Sequence, residues 1–312
     1  MRPLVSIIVP TYNEADDIRR TLDALVSQTY AAKEIIVVDD STDGTPRIVA
    51  EYVPRGVRLV RPAQRRGRCE ARNLGIREAR GDVIVLLNAD VFPPPDFLAR
   101  IMAHYRQGAD YVLVESRVAN TAAVIPRYLE ALHRHAYAGQ NWIEWTEGFS
   151  CRRSAALDVG LFPETPLPLL AGEDGYFGIR LAQRYRKVID RSIIVPHAAP
   201  ETVRGFWAQQ NGRGRANGRF YFFLKHVPLS KLALNAAVKT ARAVLSVGLL
   251  VPMVAFCLKL CRHAPGGRGN LPEFCAVFAL NEAALIHGEW LGVRDIARYR
   301  RHHPAVESVS AQ

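Results

Sequence analysis

Five short apolar runs, interleaved with stretches of helical periodicity, restrict the first half of the chain more than any other feature. The runs are "VSIIVP" (5–10), "EIIVVDD" (34–40), "VRLVR" (57–61), "VIVLL" (83–87) and "YVLVES" (111–116). Helix-like stretches fill the gaps at 14–28, 45–53, 69–79 and 95–107. Strands alternating with helices predict an α/β fold whose sheet is largely parallel. The central runs are apolar without two-residue alternation, as expected of strands covered by helices on both faces. Ligands in such sheets sit beyond the carboxyl ends of the strands. That rule gathers Pro10–Glu14, Asp39–Asp43 and Asn88–Asp90 into one prospective cluster.

Beyond the alternating half, a helix is expected over 122–138, followed by "WTEGFSCRRSAALDVGLFPE" at 145–164. The stretch "GEDGYFGIRLAQRYRK" (172–187) reads as an amphipathic helix with an acidic start, which suits the positive end of the helix dipole. A short strand, "SIIVP" (192–196), ends at His197. From about Pro228 the chain becomes rich in Ala, Leu and Val, and basic, before the polar ending "RRHHPAVESVSAQ". The expected division is an α/β domain over 1–225, a helical, basic and apolar segment over 226–300, and a polar tail over 301–312.

Charge singles out one segment. From Thr202 to Pro272 there is no Asp or Glu, while eleven Lys and Arg residues there equal the net charge of +11. Nucleic acid is the general partner for a basic block, but this one is threaded with apolar runs. Residues 243–258, "AVLSVGLLVPMVAFCL", carry no charge and are bracketed by Lys239/Arg242 and Lys259/Arg262. An apolar stretch with basic flanks points to an anionic membrane surface rather than nucleic acid. The run falls short of the roughly 20 residues that span a bilayer, and Pro252 interrupts it. An interfacial or re-entrant helix pair, one tilted span and a buried core helix all remain open. Five cysteines without a CxxC pair give neither a disulfide framework nor a zinc site. The N-terminus enters "LVSIIVP" without a cleavage-site pattern, so exposure to the cytosol is expected, at the cytoplasmic face of a membrane.

The strand-end acids carry the candidate chemistry. Asp39 and Asp40, followed by "STDGT", can accept hydrogen bonds from a base or ribose; the plain alternative is a turn with Asp43 or Thr45 as a helix cap. Asp90 suits a hard cation that keeps water and phosphate oxygens in its shell, whereas Asn88 offers only an amide. Glu173 and Asp174, after Gly172, stand at a helix start where a carboxylate can serve as a general base or simply as a cap. His197 can offer a neutral imidazole to a metal or be structural.

Taken in order, these segments resemble family 2 glycosyltransferases. The likeness runs from "VSIIVPTYNEADDIRRTLDALVSQTY" and "EIIVVDDSTDGT" through "RRGRCEARNLGIREARGDVIVLLNAD", "GFSCRRSAALDVGLFPE" and "GEDGYFGIRLAQR" to "VPHAAPETVRGFWAQQNGRGR", roughly residues 4–225. The resemblance implies the GT-A fold, a Rossmann-like nucleotide-diphospho-sugar transferase architecture, and an inverting transfer from a nucleotide-diphosphate sugar to an acceptor hydroxyl or phosphate. UDP-sugar is the first expectation for the donor and GDP-sugar the second, with a lipid-linked or surface-glycan acceptor. Pro10, Tyr12 and Glu14 would line the nucleotide pocket, Asp39 or Asp40 would meet the base, and Arg68 and Arg72 would approach the base or pyrophosphate. The family's Asp-x-Asp motif falls on Asn88-Ala89-Asp90, with Asp90, joined by His197, expected to hold Mg²⁺ or Mn²⁺. Asp174, beside Glu173, would be the base, and Gln210, Arg213 and Arg215 would close over the diphosphate.

One position departs from the pattern: Asn88 stands where the family usually has Asp. Either the amide takes over a contact to the ribose, or the site holds its metal with one charge fewer. A catalytically weak nucleotide-sugar or membrane-binding module of the same fold is the competing reading. A nucleotidyltransferase fits less well, because no Gly-rich phosphate loop precedes a Lys near the N-terminus.

Overall fold

A computed structural model describes residues 2–64, 67–137 and 147–303. Its seven strands form one sheet in the order β3-β2-β1-β4-β6-β5-β7. They are β1 (Val5–Thr11), β2 (Lys33–Asp39), β3 (Val57–Val60), β4 (Val83–Leu86), β5 (Tyr111–Val118), β6 (Phe149–Arg152) and β7 (Lys187–His197). Strand β6 runs antiparallel to both neighbours and the other pairings are parallel. The sequence reading located six of these strands. It passed over β6, whose "FSCR" is too short to show a period and lies between helix-like stretches.

The order reverses at β1, which pairs with β2 on one side and β4 on the other. In open α/β sheets such a switch point is where the carboxyl ends of neighbouring strands leave room for a ligand. Each central strand is apolar because both of its faces are covered: Val5, Ile7, Ile8, Val9, Ile36, Val37, Ile84 and Val85 are wholly buried. Helix α1 (Ile18–Val26) buries Ile18, Thr21, Leu22 and Leu25, the one-face spacing of an amphipathic helix. Helices α2 (Thr45–Ala50), α3 (Arg68–Glu78) and α4 (Phe97–Arg106) follow β2, β3 and β4. Helix α3 packs on β1 through Gly75, where a Cβ would come within 2.4 Å of the Ile8 side chain.

The chain divides into two compact units. One comprises residues 1–119, 139–164 and 173–198 and contains the whole sheet with α6 (Arg153–Asp158) and α7 (Glu173–Ala182). The other gathers 120–138, 165–172 and 199–312. This division differs from a cut after residue 225, because α8 (Val203–Lys225) packs along α11 (Leu271–His302) within the second unit. The second unit also holds α5 (Val124–Tyr137), α9 (Leu229–Gly248) and α10 (Val251–Cys261). The polar tail beyond His303 lies outside the described residues.

Glycines bring α8 and α11 together. A Cβ on Gly288 would lie 2.1 Å from the Asn211 carbonyl oxygen, and one on Gly214 would lie 2.1 Å from that of Leu285. Beside this crossing, Asp295 takes both Arg215 Nε (2.5 Å) and Arg219 (2.6 Å). The apolar run 243–258 is not one helix. It breaks at Leu249–Leu250, where α9 and α10 meet at 81°, and no single described helix is long and apolar enough to cross a membrane. Pro252 sits in the first turn of α10, where its missing N–H costs nothing. The inner face of α10 is core, with Met253, Cys257, Leu260 and Cys261 packed beside Tyr128 and Phe274. The elbow itself is not: Val244, Leu245, Leu249, Leu250 and Val251 are exposed, Val251 at 73%.

Candidate active site

Two loops at the carboxyl edge are tied together by short polar side chains. Asn13, with φ 58, donates its N–H to Ser41 Oγ (2.8 Å), and its Oδ1 accepts from the Thr42 N–H (2.9 Å). The Glu14 N–H reaches Thr45 Oγ1 (2.9 Å). Asp39 is buried at the end of β2, where it accepts from Thr11 Oγ1 (2.8 Å) and pairs with Arg61 Nε (3.1 Å). Asp40 accepts from the Gly67 N–H at the start of α3 (3.0 Å). Thus "DDSTDGT" ties the loops after β1 and β2 together at the carboxyl edge, where Tyr12 is exposed and Pro10 partly exposed.

Asp90 and His197 are distant in sequence but adjacent in the fold. After β4 the chain pairs antiparallel with the end of β7: Val91 bridges His197, Phe92 N–H bonds Pro196 O (2.8 Å), and Ala198 N–H bonds Asp90 O (2.9 Å). A register shift between Val114 and Glu115 lets β7 carry His197 opposite Val118. Nδ1 of His197 bonds Ser116 Oγ (2.9 Å), which leaves Nε2 as the ring's other donor atom. The proline turn after Asp90 is clamped from just past the end of α1: the Gln28 amide donates to Pro94 O (2.7 Å) and its Oε1 accepts from the Leu98 N–H (3.1 Å). Thr21 Oγ1 bonds the Ala89 carbonyl at 2.5 Å.

Under this edge lies a buried ion pair. Arg72 on α3 and Glu173 at the start of α7 are each 1% exposed and meet at 2.8 Å. The second nitrogen of Arg72 donates to Asn88 Oδ1 (3.1 Å), while Asn88 Nδ2 donates to Glu147 Oε1 (3.3 Å). Arg68 reaches Glu173 from a half-exposed position (3.5 Å). Phe162 stacks on Phe177 at 4.3 Å and underlies the Arg72 guanidinium. Asn73 fixes Phe162 by bonding both its N–H and its carbonyl (2.9 Å each). These contacts place Asp174, the residue after Glu173, at the N-terminus of α7, where its Oδ1 accepts from the Gly175 N–H (2.9 Å).

The acids that are not paired hold their protons more tightly than usual. Burial raises Asp174 to about 7, with the charges of Glu173 and Glu147 adding to it. Asp90 rises to about 6 by burial, with Glu147 adding and His197 opposing. Glu14 rises to about 8, again by burial and then by Asp90 and Asp17. Burial pushes Glu173 upward too, but Arg68 and Arg72 outweigh it and hold this acid below the ordinary carboxylate range. The edge therefore carries more carboxylates than cations to neutralise them, and it favours a positively charged guest.

The residues present fit a divalent cation. Asp90 Oδ1 is buried with no hydrogen-bond partner, and the imidazole of His197 stands beside it. No group of three or more His, Cys, Asp or Glu among the described residues could hold a metal unaided. Mg²⁺ and Mn²⁺ need no such cage, because one or two carboxylates, water and substrate phosphates complete the shell.

The first unit brings together Pro10, Tyr12, Glu14, Asp39, Asp40, Arg68, Arg72, Asn88, Ala89, Asp90, Glu173, Asp174 and His197. Within it, Arg72 and Glu173 form the buried floor rather than the lip. Gln210, Arg213 and Arg215 lie on α8 in the second unit; Gln210 is buried, Arg213 is exposed and Arg215 is engaged by Asp295. Sequence reasoning missed Thr21, Gln28, Ser116 and Glu147. Only the apolar spacing of α1 hinted at the first, and nothing in "WTEGFSCRR" set Glu147 apart.

Residues 6–164, half of the chain, match the family described as Glycosyl transferase family 2, and the chain belongs to that family. Among curated relatives, the glycosyltransferase AglE of Haloferax volcanii is 30% identical over 182 residues, 55% of this chain and 59% of AglE. The succinoglycan biosynthesis protein ExoO of Rhizobium meliloti is 41% identical over 101 residues, 32% of this chain and 29% of ExoO. The chain thus spans well under two thirds of the relatives it matches. Among solved structures, the mannosyltransferase PcManGT from Pyrobaculum calidifontis in complex with GDP-Man and Mn²⁺ aligns with a TM-score of 0.62 and 25% identity, over 95% of this chain and 88% of its own. S. aureus TarS in complex with UDP-GlcNAc aligns with a TM-score of 0.53 and 16% identity, over 95% and 92%. The mixed, mostly parallel sheet with its helices is the GT-A fold of these neighbours.

Proposed function

We propose that this chain is an inverting glycosyltransferase that moves a sugar from a nucleotide-diphosphate donor to an acceptor hydroxyl or phosphate, with Asp174 as general base. The observation that carries this reading is Asp174 itself, raised to about 7 at the start of α7 and steadied by the Arg72–Glu173 pair beneath it. A base titrating near the working pH combines a usable ionised fraction with a strong pull on the acceptor's proton. As the acceptor oxygen bonds to the anomeric carbon, its proton passes to Asp174 and the bond to the diphosphate breaks. Asp90 and His197 would hold Mg²⁺ or Mn²⁺, whose charge, when bound, offsets that gathering on the leaving diphosphate. Arg68, half-exposed beside the edge, supplies further positive charge toward the phosphates, and Asp40, Tyr12 and Pro10 line the nucleoside side. GDP-Man in one structural neighbour supports a GDP-sugar as a donor candidate beside a UDP-sugar.

The second unit bears on the acceptor. An exposed apolar elbow in a segment without acidic residues supports docking to an anionic bilayer surface, such as that of a cytoplasmic leaflet, and hence a lipid-linked or surface-glycan acceptor. The decisive experiment is a donor-hydrolysis and binding screen of UDP-, GDP- and dTDP-sugars with Mg²⁺, Mn²⁺ or chelator, repeated on Asp174→Asn. Turnover that vanishes in the variant while donor binding persists is the expected result. Unchanged low turnover would instead identify a binding module of the same fold, and binding of no nucleotide sugar would overturn the proposal.

A further inference from the structure

We propose that Glu147 provides, together with Asp90, the second carboxylate for the divalent cation of the donor diphosphate, replacing the aspartate whose place Asn88 has taken. The inference rests on the functional reading above and answers the question that Asn88 poses. The side chain of Asn88 is not free to face a ribose with both of its polar atoms. Its Oδ1 accepts from Arg72 at 3.1 Å, and its Nδ2 donates to Glu147 Oε1 at 3.3 Å. Only an amide fills both roles, because it presents one acceptor and one donor group where an ionised aspartate presents acceptors alone. An aspartate at 88 would keep Arg72 but set a carboxylate against that of Glu147. The amide of Asn88 and the carboxylate of Glu147 are therefore complementary, and the negative charge of this pair sits at 147 rather than 88.

The backbone fixes where that charge sits. Glu147 precedes Gly148, which adopts φ 87 and packs so tightly that a Cβ there would lie 2.6 Å from the Val114 side chain. The strand β6 begins at the next residue, so Glu147 is held at the carboxyl edge of the sheet by a step that only glycine can make. Its hydrogen bond to Asn88, two residues before Asp90, sets it at the same strand end as the metal-facing acid, and its charge acts on both Asp90 and Asp174. Asp90 Oδ1, buried and without a hydrogen-bond partner, is the counterpart that a shared cation would satisfy. Mg²⁺ and Mn²⁺ are commonly held by one or two carboxylates plus phosphate oxygens and water, so a two-acid set completed by substrate suffices.

The test is Mn²⁺ affinity, read from loss of the free Mn²⁺ paramagnetic signal in the presence of UDP and, separately, GDP, with a thermal melt of every variant. Glu147→Gln should weaken Mn²⁺ binding by about tenfold or more, the scale on which metal sites respond to loss of a supporting carboxylate. Asn88→Asp/Glu147→Gln moves the charge back to position 88 and should recover most of that loss. Glu147→Asp, which keeps the charge on a shorter arm, should bind Mn²⁺ more tightly than Glu147→Gln, and it carries the comparison if Glu147→Gln does not fold. Affinity in Glu147→Gln equal to wild type overturns the proposal, and so does a double variant no better than Glu147→Gln. A wild-type chain that binds UDP or GDP but never Mn²⁺ overturns it together with the metal reading, while leaving nucleotide binding intact.

Discussion

The ion pair between Arg72 and Glu173 is the element whose removal the structure prices most directly. Glu173→Gln keeps the shape of the side chain, so no cavity forms, and the loss is electrostatic. Both partners are 1% exposed, and the substitution leaves a guanidinium in the interior without its counter-charge. Breaking a buried pair from one side destabilises by about 3–5 kcal/mol. At roughly 2–4 °C per kcal/mol for a chain of this order of size, the melting temperature should fall by about 10 °C. Arg68 reaches the same carboxylate oxygen at 3.5 Å but is half-exposed, so water makes good its share of the loss. The assay is urea and thermal unfolding of Glu173→Gln, Arg72→Met and the double variant. Removing both charges costs less than the two single losses added together, with a coupling of about 1–3 kcal/mol. The pH dependence has a fixed sign. Because the arginines hold Glu173 below its unfolded pKa, its contribution is complete above about pH 4.3 and fades as pH falls through the lower folded value. The difference between wild type and Glu173→Gln should then shrink in acid, while above about pH 5 it also carries the titration of Asp174, which the charge of Glu173 helps to raise. A variant within about 1 kcal/mol of wild type at pH 7, or a difference that fails to shrink in acid, would refute the reasoning.

Turnover should fall as pH drops through about 7, because the base works only when ionised, and this acid limb should vanish from the residual rate of Asp174→Asn. Gly288→Ala puts a methyl group into the Asn211 carbonyl; we expect a loss of about 1–3 kcal/mol in urea unfolding, and a neutral result would contradict the close crossing of α8 and α11. Val251→Asp at the exposed elbow should abolish sedimentation with phosphatidylglycerol vesicles while leaving hydrolysis of soluble donor unchanged. Wild-type binding should weaken in high salt, as expected of attraction between lysines or arginines and anionic lipid.

Much of the sheet was legible because a buried parallel strand leaves a local trace. "VSIIVP" (5–10) and "VIVLL" (83–87) are apolar without alternation, and each stops at the polar residues that the carboxyl edge requires. Asp90 and Asp174 could be picked out because both stand at element ends, where a carboxylate has a job or a cost. What stayed hidden depends on contacts between distant segments. Gln28 looks like a polar residue at a helix end until the proline turn 65 residues on is folded against it. Glu147 has no local signature, since its meaning lies in the amide of Asn88. The segment "QQNGRGR" shows glycines and cations but no helical spacing of apolar residues. It is nonetheless the middle of a 23-residue helix, its glycines placed by a partner more than 70 residues downstream. In the apolar run 243–258, composition located the exposed patch but not the bend, which falls at a leucine with φ 57 rather than at the proline.

The division into two units also sets an order of assembly. Every strand of the sheet has been synthesised by residue 197, so the first unit can close while the rest of the chain is still being made. Helix α5 is made early, yet Arg127 waits for Glu273, 146 residues later, and α8 cannot find its glycine-matched neighbour until α11 follows. During that interval the basic, apolar helices of the second unit have no finished core to join. A chain halted after residue 225 would carry α8 as an unmated helix rather than end at a domain boundary.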